Sequence, residues 1–180
     1  MLDALWKLTR GNPLALVELS SGLDADELAG RAPLPDDVRL GVALQHTLQL
    51  RADRLPESTR TMLLVAAAEG TGDLGLVLRA AHLLGVDAAA LEPAELAGIV
   101  RVADGRIDFP NPLMRTAVYH GAPFGRRQGV HRALADCLGD EADADRRTWH
   151  RSVATVGPDE AVARELAASA GRARQRGSTA

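Results

Sequence analysis

Asp104-Gly105 stands between two alternating runs, Ile99-Val100-Arg101-Val102-Ala103 and Arg106-Ile107-Asp108-Phe109. An Asp-Gly pair in that setting specifies a two-residue hairpin, because a type I′ turn needs positive φ at both central positions. A two-residue loop also sets the register. Ala103 then opposes Arg106, Val102 opposes Ile107, Arg101 opposes Asp108 and Val100 opposes Phe109. Val100, Val102, Ile107 and Phe109 share one face, which must be buried. Arg101 and Asp108 form a cross-strand pair on the other face, worth under about 1 kcal/mol. This is the one β signal in the chain.

Everything around the hairpin reads as helix. Of the 180 residues, 32 are alanine and 27 leucine, while aromatics make up 3%. Such a composition favours short, closely packed helices. Pro56 is predicted to begin a helix, with Met62, Leu63, Val65 and Ala66 on its apolar side. Gly70-Thr71-Gly72 stops it, and Asp73 caps the next. There Leu74, Val77, Leu78 and Ala81 follow helical spacing. Gly85 ends that helix, and Asp87 to Ala97 forms a third, bent or broken at Pro93. Upstream, Leu2 to Leu8 ends a helix, Gly11-Asn12-Pro13 breaks the chain, and Ala32-Pro33-Leu34-Pro35 is a linker-like break. A longer helix starts at Asp36 or Asp37, with Leu40, Leu44, Leu48 and Leu55 on one stripe.

Downstream, Asn111-Pro112 opens a helix through Tyr119, and Pro123 starts another with Val130, Leu134 and Leu138 inside. A helix from about Asp143 to Val156 contains Trp149. Pro158-Asp159-Glu160 opens the last, running to about Arg176. Its small-residue stripe, Ala163, Leu166, Ala167 and Ala170, suits close helix–helix packing and leaves homo-oligomerisation open.

Several enzyme classes are excluded by absence. The only lysine, Lys7, lies in Trp6-Lys7-Leu8, so the chain holds no P-loop. It also lacks a G-x-S-x-G elbow, an H-E-x-x-H motif and a C-x-x-C pair. The five histidines (46, 82, 120, 131, 150) never fall at metal-ligand spacing, and each reads as a helix-surface or half-buried residue. Cys137 reads as a small core residue. The chain is therefore expected not to be an enzyme and to carry no cofactor or metal of its own. No apolar run reaches membrane-spanning length. Met1 is followed by Asp3, Lys7 and Arg10 rather than a signal core, which predicts a cytoplasmic protein.

Three helices followed by a two-stranded hairpin are the order of a winged helix, with the plain alternative of a helical bundle carrying an incidental hairpin. A winged helix raises the question of DNA. The helix before the hairpin would enter the major groove, and it carries Asp87, Glu92 and Glu95 with no base. Residues 56–110 hold four arginines against eight acids. DNA affinity comes largely from phosphate neutralisation by Lys and Arg, so direct DNA binding by this segment is not expected. The net charge of −3 is uneven: −2 over 1–55, −4 over 56–110 and +3 over 111–180.

Five segments in order carry a family resemblance: Gly11-Asn12-Pro13-Leu14-Ala15-Leu16, Leu55-Pro56-Glu57, Ala66-Ala67-Ala68-Glu69-Gly70-Thr71-Gly72-Asp73, Leu91-Glu92-Pro93-Ala94-Glu95, and Phe109-Pro110-Asn111-Pro112-Leu113-Met114-Arg115-Thr116-Ala117-Val118-Tyr119. Together they resemble the middle of the large ATP-binding regulators of the LuxR family, bacterial transcription factors of the signal-transduction ATPase class related to the maltose regulator. The resemblance implies a mainly α fold. Residues 1–35 would be a helical lid or its tail, and 36–110 a winged-helix domain with its hairpin at 99–109. Residues 111–180 would start a tetratricopeptide-like helical array. It also implies partners within one parent protein, an ATPase core that binds ATP or ADP with Mg and a C-terminal DNA-binding domain.

Three residues are carried over from the resemblance as nucleotide contacts in the parent protein. Pro13 of Gly11-Asn12-Pro13 matches a proline that packs on the adenine ring; its plain role is a helix start. Asn111 stands where the family often has a histidine, in Phe-x-His-Pro-Leu-x-Arg, that is similar to one contacting the β-phosphate of ADP. Asparagine donates a hydrogen bond but carries no charge; its plain role is a helix N-cap. Arg115 would reach a phosphate or pair with an acid. The implied function is a non-catalytic regulatory segment that relays nucleotide and inducer state, with no measurable nucleotide affinity of its own. Two alternatives stand beside it. One is a stand-alone DNA-binding winged helix, using Arg115, Arg126, Arg127 and Arg132. The other is a helical protein-interaction scaffold.

Overall fold

The computed structural model describes residue 31, residues 42–175 and residue 177. The expected lid (Arg31 apart), the Gly11-Asn12-Pro13 break and the helix start at Asp36 or Asp37 lie outside the described residues. The chain is mainly helical: α1 (Val42–Asp53), α2 (Glu57–Glu69), α3 (Leu74–Leu83), a 3-10 turn (Ala88–Leu91), α4 (Glu92–Leu96), β1 (Arg101–Ala103), β2 (Arg106–Asp108), α5 (Pro112–Gly121), α6 (Phe124–Cys137), a second 3-10 turn (Glu141–Asp143), α7 (Ala144–Ala154) and α8 (Glu160–Gln175).

The hairpin forms in the expected register, Arg101 opposite Asp108, Val102 opposite Ile107 and Ala103 opposite Arg106. Asp104 and Gly105 sit at φ 51° and 72°, as a type I′ turn requires. The strands are three residues each rather than five and four, because Ile99 and Val100 leave the ladder to bond back to Ala94 and enter the core. The segment between α2 and α3 joins the hairpin: the Ile107 amide donates to the Gly72 carbonyl (3.0 Å), and the Leu74 amide donates to Gly105 (3.2 Å). Gly72 is required there. Its φ is +82°, and a Cβ would lie 2.9 Å from the Ile107 carbonyl oxygen.

Helix ends follow the sequence signals, with two adjustments. Gly70 closes α2 in the left-handed conformation, and the Asp73 carboxylate accepts from the Leu76 amide at the start of α3. Pro56 is the N-cap of α2 rather than its first helical residue. The third helix breaks into a 3-10 turn and the short α4, with Pro93 in the first turn of α4, where a missing N–H costs nothing.

α2 is the centre of the molecule. Its sequence suggests one apolar side, yet Met62 through Glu69 are all buried. It packs against α3, α5, α6 and the first 3-10 turn. Ala66, Ala67 and Ala68 permit this, because small side chains let neighbours approach on every face. Met62, Leu63, Leu76, Met114 and Leu134 are fully enclosed. Each contributes roughly 1.5–3 kcal/mol of apolar burial.

The last helices depart from expectation. The stripe Ala163, Leu166, Ala167 and Ala170 faces solvent, while Val162 supplies the buried contact of α8. Small residues allow close packing but do not compel it, and even Leu166 of the stripe stays 40% exposed. Among the described residues, no single helix is long and apolar enough to cross a membrane. The α3 and 88–96 pair passes by composition but is bent by 113°, and its Leu76, Val77, Ala80 and Ala81 belong to the core.

Candidate functional site

Two places concentrate polar groups. The first is the junction between the α2–α3 turn, the hairpin and the start of α5. Glu69 ends α2 with its side chain fully enclosed. Its carboxylate accepts from the amides of Thr71 (2.9 Å), Gly72 (2.7 Å) and Asp73 (3.2 Å), and from the Thr71 hydroxyl. Arg146 of α7 donates to it at 2.6 Å and also pairs with Asp143. Three consecutive amides converging on one carboxylate form a backbone nest for an anion. Glu69 fills that nest from within the chain.

Beside this turn lies a cavity of about 250 Å³, lined by Gly70, Thr71, Gly72, Arg106, Phe109 and Arg115 among others. Arg106 donates to the Thr71 carbonyl at 2.6 Å. Arg115 Nε donates to the Ala67 carbonyl at 2.9 Å, near the end of α2. The expected acid partner of Arg115 is thus replaced by a helix C-terminal carbonyl, a favourable place for a cation. Gly70 makes room for it, since a Cβ there would lie 2.7 Å from Arg115 Nη2. Each guanidinium has five N–H donors, so the cavity has a cationic wall, with Asp108 as an acid on the same wall.

Asn111 adjoins this cavity in sequence, but its side chain is used locally. Its Oδ1 accepts from the Leu113 amide at 3.0 Å, as the N-cap of α5. Pro13 lies outside the described residues. Of the three carried-over residues, the structure therefore places Arg115 on the cavity wall and Asn111 at a cap. Two further arginines of 111–132 are also engaged, while Arg132 is exposed. Arg126 pairs with Glu57, and Arg127 donates to the Ala122 carbonyl at 2.8 Å and stacks over Tyr119.

The second place was not expected. His131 and His150 are buried, at 0% and 2% exposure, and their Nδ1 atoms are 2.9 Å apart. Tyr119 Oη is 2.8 Å from His131 Nε2. Trp149 sets its ring edgewise to both imidazoles, with centroids 5.2 and 4.8 Å away. The residues come from α5, α6 and α7, and sequence separations of 12 and 19 hide the contact. Loss of water around each ring holds both imidazoles down at about pKa 4. Arg127 adds to this at His131; His131 and Arg146 add to it at His150. The reading of these histidines as surface or half-buried residues is corrected: a hydrogen-bonded pair can be buried where a lone one cannot.

Among the described residues no cluster of three or more histidines, cysteines or carboxylates is placed to hold a metal ion. Cys137 is half-buried against the core, and burial pushes its thiol above the usual value, away from the thiolate a nucleophile needs. Comparison with family models, curated proteins and solved structures returned no match.

Proposed function

We propose that this chain is a non-catalytic regulatory segment of an ATP-dependent transcription regulator of the LuxR type. In this reading residues 36–110 are a winged helix, and 111–180 begin a tetratricopeptide-like array. The segment passes nucleotide and inducer state between an ATPase core and a DNA-binding domain of the parent protein. The observation that carries the reading is the order of α2, α3, the 88–96 helix and the hairpin. Its supports are the 113° turn between the helices and the bridge from the α2–α3 segment to β2. The exposed acids Asp87, Glu92 and Glu95 on the helix before the hairpin favour a protein-facing role over a DNA-facing one. Engagement of Arg115, Arg126 and Arg127 within the chain points the same way.

Relay here means a change of interface. ADP would favour one arrangement of core and winged helix, and ATP with inducer the other, each by its differential affinity for the two states. Calorimetric titration of this chain with MgADP and MgATP, beside a DNA gel shift at low and moderate salt, tests the division of labour. No heat and no shift are expected. Micromolar nucleotide affinity or salt-sensitive DNA binding would sink the reading. Extending the reading frame in the source gene gives a second check: the family demands a G-x-x-x-x-G-K-[ST] motif upstream and a helix-turn-helix downstream.

A further inference from the structure

We propose that the Tyr119–His131–His150 chain is a proton-operated latch, which holds α7 and α8 against α5 and α6 when neutral and releases them when both imidazoles are protonated. The geometry of the pair dictates this. Two Nδ1 atoms 2.9 Å apart make a hydrogen bond only if one carries a proton and the other does not. In one arrangement His131 donates from Nδ1 to His150, and the Tyr119 hydroxyl donates to His131 Nε2. In the other, His150 donates and His131 Nε2–H donates to the Tyr119 oxygen. One added proton is accommodated only with the charge on a dry ring. Two added protons set N–H against N–H, and the bond cannot survive.

Among the described residues, no carboxylate is shown acting on either ring. The charged groups acting on the pair are Arg127 of α6 and Arg146 of α7, both cationic. Arg146 is itself held by Glu69 of α2 and by Asp143. Tyr119 faces the pair from α5. Arg79 of α3 acts on Cys137 instead, while Glu165 and Arg172 of α8 are bound by Arg151 and Asp145. α7 packs chiefly on α6 and α8, and α8 on α7. The imidazole pair therefore sits inside the main interface joining the last two helices to the rest.

The sign follows from both folded pKa values lying near 4, below the ordinary 6.5. The latch is fully closed above about pH 6.5, weakens as pH falls from 6.5 to about 4, and levels off below that. With two protons taken up, the opening equilibrium rises up to about 100-fold per pH unit.

The test uses the full chain with Trp6→Phe, leaving Trp149 as the single indole. Fluorescence and hydrogen exchange are followed from pH 7 to 4. Exchange protection over 144–175 is expected to fall before that over 57–137, together with a change in Trp149 emission. Simultaneous loss of both regions, or full protection of 144–175 at pH 4, overturns the proposal. His150→Phe is expected to lose the separate early step; an unchanged early step overturns the latch. Should that variant not fold, imidazole nitrogen NMR of the wild type decides. One ring must be the Nδ1–H and the other the Nε2–H tautomer at pH 7, and titration near 6.5 or two Nε2–H rings refutes the latch.

Discussion

Glu69→Ala is expected to be among the most destabilising single substitutions in this protein. The carboxylate has five donors: three backbone amides, the Thr71 hydroxyl and Arg146. Its side chain has no solvent exposure. Removing it leaves the donors of a tight turn facing a void and strips a buried partner from Arg146. Leaving several part-buried donors without an acceptor costs about 1–3 kcal/mol each, or about 3–5 kcal/mol together. Against the roughly 5–15 kcal/mol that stabilises a domain, that is a large share. At roughly 2–4 °C per kcal/mol, the melting temperature falls by about 6–20 °C. Two further variants separate the causes. Arg146→Ala leaves the nest intact, and Arg146 is 33% exposed, so its loss costs about 1 kcal/mol after solvent screening. Glu69→Gln keeps the shape and one acceptor oxygen but sets an NH₂ against converging amides, at about 2 kcal/mol. Urea unfolding followed by far-UV circular dichroism gives all three. The reasoning fails if Glu69→Ala lies within 1 kcal/mol of wild type, or if Arg146→Ala costs as much, since the ion pair rather than the nest would then hold the turn.

Asn111→Ala is expected to cost about 1 kcal/mol by loss of the α5 cap, read by thermal unfolding, while Asn111→Asp, which still caps, stays close to wild type. Gly105→Ala places a Cβ at φ +72° and is expected to cost about 1–2 kcal/mol. Nothing lies within 4 Å of that Cβ, so hairpin strain alone accounts for the loss, and amide exchange in 101–108 should rise first.

The hairpin was legible because its signal is local. Asp104-Gly105 dictates a turn, the turn dictates a register, and the register dictates which residues go inward. The caps at Asp73 and Asn111 and the stop at Gly70 were legible for the same reason: each needs only neighbours within four residues. Arg115 was half legible. Its position beside the hairpin followed from the chain, but its partner did not, because a backbone carbonyl 48 residues away leaves no mark in composition.

Local sequence, then, determined the helices, the turn and the hairpin register. Tertiary packing decided the rest. It buried the C-terminal half of α2, Met62 through Glu69, on all sides because alanines admit neighbours that no helical period specifies. It turned the small-residue stripe of α8 outward. It brought His131 to His150, since whether an imidazole is exposed or buried depends on the partner that replaces its water. Glu69 shows the division most clearly. In sequence it is a charge at a helix end; in three dimensions it is the acceptor around which the turn, α3 and α7 are fastened, because only the folded chain excludes water from it.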